Sequence, residues 1–221
     1  HIHTVVGRYK GRVKGWDVVN EALDEDGSLR QSPWLKILGA DYLVQAFEFA
    51  QAADPKAELY YNDYGLESER KRLGAIRLVE RLQRAGVEVT AVGVQGHYGL
   101  DGPKNEEIEQ TIVAFSQLGI KVAITELDVN VLPTPMEAYV ADISLNFAAE
   151  EKWNPYRDGL SRELEEALAR RYKELFKIFL KHRQCVSRVT VWGVTDGDSW
   201  LNDWPIRGRT NYPLLFDRKG R

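Results

Sequence analysis

The sequence predicts an α/β fold built on a parallel sheet of the β/α-barrel kind. Three observations predict it. Apolar, β-branched runs alternate along the chain with segments of helical periodicity. The runs are nearly continuous in apolar residues, as strands covered on both faces are. Two of them end in a carboxylate: Trp16-Asp17-Val18-Val19-Asn20 leads into Glu21, and Ala123-Ile124-Thr125 leads into Glu126. A parallel barrel gathers the C-terminal ends of its strands on one rim, so residues far apart in sequence meet there. The strand count is short of eight, and a five-stranded open sheet satisfies the periodicity equally well. The strand-end carboxylates favour the barrel.

The elements follow in order. Residues 1–10 carry Ile2, Val5, Val6 and Tyr9 at helical spacing and read as the end of a helix. Residues 13–20 read as the first strand. A helix over 40–53 has an apolar stripe of Leu43, Ala46, Phe47, Phe49 and Ala50, and Asp54-Pro55 stops it. Glu58–Asn62 is the second strand. A helix over 67–85 carries Leu73, Ile76, Leu78, Val79 and Leu82 and closes at Gly86. Ala91–Gln95 is the third strand. Asn105 caps a helix that runs to Leu118 and Gly119. Lys121–Thr125 is the fourth strand. A connection over 129–160 is long for a βα loop, with a short helix expected near Met136–Ile143. It follows the Glu126 strand, so it shapes the same rim. A helix over Ser161–His182 precedes the last strand, Arg188–Val194. All of this is read as one domain, residues 1–221.

Composition excludes several classes. The 221 residues are 43% hydrophobic and carry a net charge of −3, with no basic block for a nucleic-acid partner. No apolar run approaches the roughly 20 residues of a membrane span. The single Cys185 cannot form an internal disulfide and is expected to be a buried thiol. His1 and His3 and the acidic residues match no metal-loop spacing, so no metal and no cofactor is implied. Of six tryptophans, Trp192, Trp200 and Trp204 crowd one segment. Exposed indoles there are platforms for sugar faces, whereas buried ones simply pack.

The chemistry concentrates at strand ends. Glu21, beside Asn20, suits a general acid, although Asn-Glu-Ala alone is a common loop sequence. Glu126 and Asp128 stand at i and i+2 of one strand and face the same way. Two such acids need partners, or one keeps its proton. Gln95-Gly96-His97 ends the neighbouring strand, so His97 can reach both. Tyr61-Asn62-Asp63-Tyr64-Gly65 offers Asn62 and Tyr64 at the rim, or is a plain turn. Two carboxylates on one rim suggest acid/base and nucleophilic work on a glycosidic bond.

Taken together, these motifs resemble glycoside hydrolase family 10, the endo-β-1,4-xylanases. The resemblance rests on Thr4–Gly11, Trp16–Ala22, Tyr61–Tyr64, Val94–His97, Ile124–Asp128 and Val191–Asp196 with Ser199-Trp200, in that order along nearly the whole chain. It implies a (β/α)8 TIM barrel, of which this chain supplies roughly strands 4 to 8, and retaining hydrolysis of xylan or xylo-oligosaccharides. By resemblance Glu21 is the acid/base and Glu126 the nucleophile. Asn20 holds the sugar 2-hydroxyl, and His97 contacts Glu126 with Asp128 behind it. Tyr64, Gln95, Trp192 and Trp200 line the subsite. The resemblance also implies secretion.

The chain departs from the family pattern at both ends: three strands before His1 and a closing helix after Arg221 are missing. In the family those strands add an Asn, a Lys, a His and a Trp to the sugar-binding wall. The expectation is one piece of a larger enzyme, completed by a second polypeptide fragment or separated from the rest by cleavage. The alternatives are an inert or partner-dependent sugar-binding fragment, or a related β-1,4-glucanase or mannanase.

Overall fold

The structure is a computed structural model and describes residues 1–135 and 147–221. The helix expected near Met136–Ile143 lies outside the described residues. Helix α1 spans Ile2–Arg8, strand β1 Gly15–Asn20, α2 Pro33–Leu38, α3 Tyr42–Ala53, β2 Glu58–Asp63 and α4 Glu69–Arg84. Then come β3 Ala91–Val94, β4 His97–Gly99, α5 Asn105–Gln117, β5 Lys121–Asn130, α6 Arg162–Lys181 and β6 Val186–Val191.

Among the described residues strands β1 to β6 pair in parallel, in the order β1-β2-β3-β5-β6, with β4 also on β5. β3 and β4 are two halves of one strand position. β3 pairs with Lys121–Ile124 of β5 and β4 with Asp128–Asn130. The break falls at Gln95-Gly96, where Gly96 has φ 83°. The five strand positions read from the sequence are therefore present. The Glu126 strand runs five residues further than its apolar run indicates.

The sheet has two unlike faces because side chains alternate along a strand. Leu59, Tyr61, Val92, Val122 and Ile124 point to the helices, where Phe47, Leu78, Val79, Ile112, Phe115 and Leu175 cover them. Asn62, Gly93 and Thr125 meet on the opposite face: a Cβ on Gly93 would lie 2.2 Å from Asn62 Oδ1 and 3.0 Å from Thr125 Cγ2. The close approach requires glycine there.

Several local expectations change. Phe49 and Leu73, read as parts of apolar stripes, are 53% and 46% exposed, since each lies off the face its neighbours bury. Strand β6 is half-exposed rather than buried, because it pairs with β5 alone among the described residues. Asn105 does not cap α5. Its side-chain Oδ1 accepts from Arg171 Nη1 at 2.8 Å, and the Glu107 carboxylate caps the Lys104 N–H instead. Cys185 is half-buried, not buried, with its thiol directed at the His182 carbonyl.

Candidate active site

Glu21 takes its position from a slip in the sheet. Between Asp17↔Tyr60 and Val19↔Tyr61 strand β1 carries one extra residue. Such a bulge shifts the pleat, and Asn20 comes level with Asn62. The next residue, Glu21, is the one non-glycine with positive φ (53°) among the described residues. That conformation costs about 1–2 kcal/mol for an L-residue. Local strain of this kind recurs where a side chain must be aimed. The Glu21 N–H is satisfied by the Asn62 carbonyl at 2.9 Å. At the other end of the side chain, Gln95 Nε2 donates to Oε1 at 2.9 Å, and Arg30 Nη1 lies 3.5 Å from Oε2.

Glu126 is built by β5 against the broken strand. Its N–H donates to the Gln95 carbonyl at 2.8 Å and that of Asp128 to the Gly96 carbonyl at 3.3 Å. The break at Gln95-Gly96 turns His97 towards both acids. His97 Nε2 is 3.3 Å from Glu126 Oε2, and Nδ1 is 3.0 Å from Asp128 Oδ1. Asp128 is fully buried, and its Oδ2 accepts from Trp200 Nε1 at 2.9 Å. Burial works against a charge on His97, but the hydrogen bonds and charges of Asp128 and Glu126 outweigh it and push its pKa up to about 9. Near neutral pH the ring is an imidazolium that donates to both carboxylates.

Asn62 joins the two strand ends. Its Nδ2 donates to Asn20 Oδ1 at 2.9 Å and to Glu126 Oε1 at 3.0 Å, while its Oδ1 accepts from Thr125 at 2.7 Å. Tyr64 stands one step from Glu21. Its hydroxyl bonds Glu25 and approaches Arg30 at 3.5 Å. The Lys71 ammonium lies 3.3 Å from the centre of its ring. Lys71 and Asp63 are both fully buried and pair at 3.1 Å. Desolvation nevertheless raises the pKa of Asp63, and Lys71 opposes that rise.

Of the residues singled out by sequence, Asn20, His97, Glu126, Asp128 and Trp200 are linked by side-chain hydrogen bonds through Asn62, Glu21 and Gln95 form a second group with Tyr64 attached through Arg30, and the Glu126 N–H to the Gln95 carbonyl joins the two. Trp192 is 46% exposed, with no hydrogen bond from its indole among those described. The indole that stacks on Trp200 is Trp204, with centroids 4.8 Å apart and planes inclined by 20°. His97 packs on the Trp200 ring at 5.1 Å. Buried Arg209 clamps this loop by donating to the Leu201 and Trp204 carbonyls. Sequence reasoning left Asn62 open and missed Arg30 and Lys71. Asn62 shares the strand parity of Glu58 and Tyr60, which signals its inward direction. Nothing local signals the other two. Among the described residues no cluster of three or more His, Cys, Asp or Glu could hold a metal ion.

Fold and site together define a class: a wall of a parallel β/α barrel with paired carboxylates at its strand ends, the arrangement used to cleave glycosidic bonds. The chain belongs to glycosyl hydrolase family 10, whose family model matches residues 1–221. It is 50% identical over 218 residues to endo-1,4-beta-xylanase A of Xylanibacter ruminicola, covering 99% of this chain and 59% of that protein. To the beta-1,4-xylanase of Dictyoglomus thermophilum it is 42% identical, covering 99% and 58%. A solved GH10 endoxylanase retrieved from a sugarcane soil metagenome superposes with TM-score 0.96 at 49% identity, over 100% of this chain and 64% of that one. Xylanase 10B from Thermotoga petrophila, solved with xylobiose, gives 0.83 at 31% identity, over 100% and 60%. The chain thus spans less than two thirds of the length of these relatives. The expected fold class holds: this is an α/β chain forming roughly strands 4 to 8 of a (β/α)8 barrel.

Proposed function

We propose that the protein, at its natural length, hydrolyses β-1,4-xylosidic bonds within xylan or xylo-oligosaccharides with retention of configuration. Glu126 attacks the anomeric carbon as Glu21 gives its proton to the leaving oxygen. Water, deprotonated by Glu21, then releases the covalent xylosyl-enzyme. Retention needs the two carboxyls about 5–5.5 Å apart, too close to admit a water between them as nucleophile. Asn20 holds the sugar 2-hydroxyl. Gln95, Tyr64, Trp192 and Trp200 line the subsite.

The observation that carries this reading is the placement of His97 between Glu126 and Asp128, 3.3 Å from one and 3.0 Å from the other. His97 held there orients the Glu126 carboxylate. The relatives' names favour xylan over glucan or mannan as substrate. In this reading residues 1–221 are part of one catalytic domain, and further barrel strands, from the same polypeptide or a second fragment, complete the sugar-binding wall. Secretion follows from the size of a polymeric substrate. Among the described residues no helix is long and apolar enough to cross a membrane.

The test is a 2-deoxy-2-fluoro-xylobioside with an activated leaving group. In an active preparation, peptide mass mapping should find the sugar on Glu126. Label on another residue refutes the mechanism.

A further inference from the structure

The loop after Glu21 folds back on itself. The Gly27 N–H donates to the Asp24 carbonyl, the Asp24 N–H to Ser28 and the Arg30 N–H to Ala22, while Leu23 pairs antiparallel with Leu29. This hairpin sits backbone to backbone on α4. A Cβ on Gly27 (φ 78°) would lie 2.3 Å from the Arg70 carbonyl oxygen, and one on Gly74 would lie 2.4 Å from that of Gly27. Arg77 Nη2 also donates to the Gly27 carbonyl at 3.1 Å.

The hairpin delivers Arg30 to Glu21, with Nη1 3.5 Å from Oε2 and both side chains 27% exposed. Arg30 is held from several sides. Its Nη2 donates to the Leu23 carbonyl at 3.3 Å and to the Tyr64 hydroxyl at 3.5 Å, and its Nε lies 3.8 Å from Asp24 Oδ1. Gln95 serves the other carboxyl oxygen of Glu21 with a neutral amide. An amide donor suits a carboxylic acid and a carboxylate alike, whereas a guanidinium interacts strongly only with the carboxylate.

We propose that Arg30 is a positioning residue for the first half of the reaction, stabilising the carboxylate that forms on Glu21 as its proton leaves. This rests on Glu21 being the acid/base. In that step the Glu21 proton moves to the glycosidic oxygen, the bond from that oxygen to the anomeric carbon breaks, and a bond from Glu126 to the same carbon forms. Charge passes from Glu126 to Glu21, beside Arg30. The second half returns the proton to Glu21 and needs no such help.

The two halves separate by leaving group. A 2,4-dinitrophenyl xylobioside departs with little acid assistance, and its kcat reports release of the xylosyl-enzyme. Phenyl xylobioside needs the proton. Arg30→Met and Arg30→Lys are compared with the unsubstituted protein at natural length, on the acidic side of the rate optimum. For Arg30→Met, kcat/KM on the phenyl substrate should fall roughly three- to fivefold, the upper end for a partly exposed ion pair, while kcat on the dinitrophenyl substrate changes less than about 1.5-fold. Arg30→Lys should recover most of the loss.

Equal losses on both substrates, no loss on either, or an Arg30→Lys variant as impaired as Arg30→Met overturns the proposal. Glu21→Ala supplies the separate check on the acid/base. Azide should restore its turnover of the dinitrophenyl substrate with a β-xylobiosyl azide product. If it does while the Arg30 variants show no selective loss, only the role of Arg30 fails. If Glu21→Ala leaves turnover intact, the assignment of Glu21 falls and the role of Arg30 with it.

Discussion

Asn62 and Glu126 are joined by a hydrogen bond of 3.0 Å between β2 and β5, and the same Asn62 amide reaches Asn20 at 2.9 Å. One side chain therefore orients the proposed nucleophile and the residue proposed to hold the sugar 2-hydroxyl. Asn62→Ala removes both bonds and leaves the buried Thr125 hydroxyl without its acceptor. A hydrogen bond to a charged group contributes about 1.5–3 kcal/mol. The expected result is a fall in kcat/KM on a xylobioside of about 10–100-fold, with a lower Tm in calorimetry. Unchanged kinetics would show that Asn62 only braces the sheet.

His97 makes stability depend on pH. Its folded pKa of about 9 stands above the ordinary value of 6.5. A cation stabilised in the fold contributes fully below the lower value and is lost as pH rises through the higher one. Stability should therefore decline between pH 6.5 and 9, by on the order of 2–3 kcal/mol. His97→Gln should flatten that slope in urea titrations run across the range. A slope that persists in the variant assigns the pH dependence to another group.

The seat of the hairpin on α4 leaves no room at Gly74. In Gly74→Ala the new methyl meets the Gly27 backbone, which cannot rotate away as a side chain would. The hairpin must lift and carry Arg30 with it. Overpacking of this kind costs about 1–3 kcal/mol. A Tm lower by several degrees and a reduced kcat/KM on the phenyl xylobioside are expected. A variant with wild-type Tm and kinetics would mean that the hairpin is not held by this contact.

How much of this was legible beforehand differs from residue to residue. Glu21, Glu126, His97 and Asp128 announce themselves because each closes or follows an apolar run, although the direction of both glutamates rests on register shifts, at Asp17/Val19 in β1 and at Ile124/Leu127 in β5. A carboxylate closing an apolar run and a histidine closing the adjacent one must meet once the sheet is parallel. Asn62 shares the strand parity of Glu58 and Tyr60, but Asn-Asp-Tyr-Gly reads equally as a turn, and only the contact with Gly93 decides its direction. Trp192 and Trp200 look like an obvious pair in the chain, yet the stacked partner of Trp200 is Trp204.

The sequence by itself determined the β/α order, the parallel sheet, the positions of the two carboxylates after apolar runs and the approach of His97 to Glu126 and Asp128, since each follows from the order of strands and where their apolar runs stop. Tertiary structure alone decided the bulge that levels Asn20 with Asn62, the strained backbone at Glu21, and the delivery of Arg30 by a hairpin pressed on α4. Those depend on where two backbones touch and on which polar groups burial leaves without water. Neither is a property of any short stretch of chain.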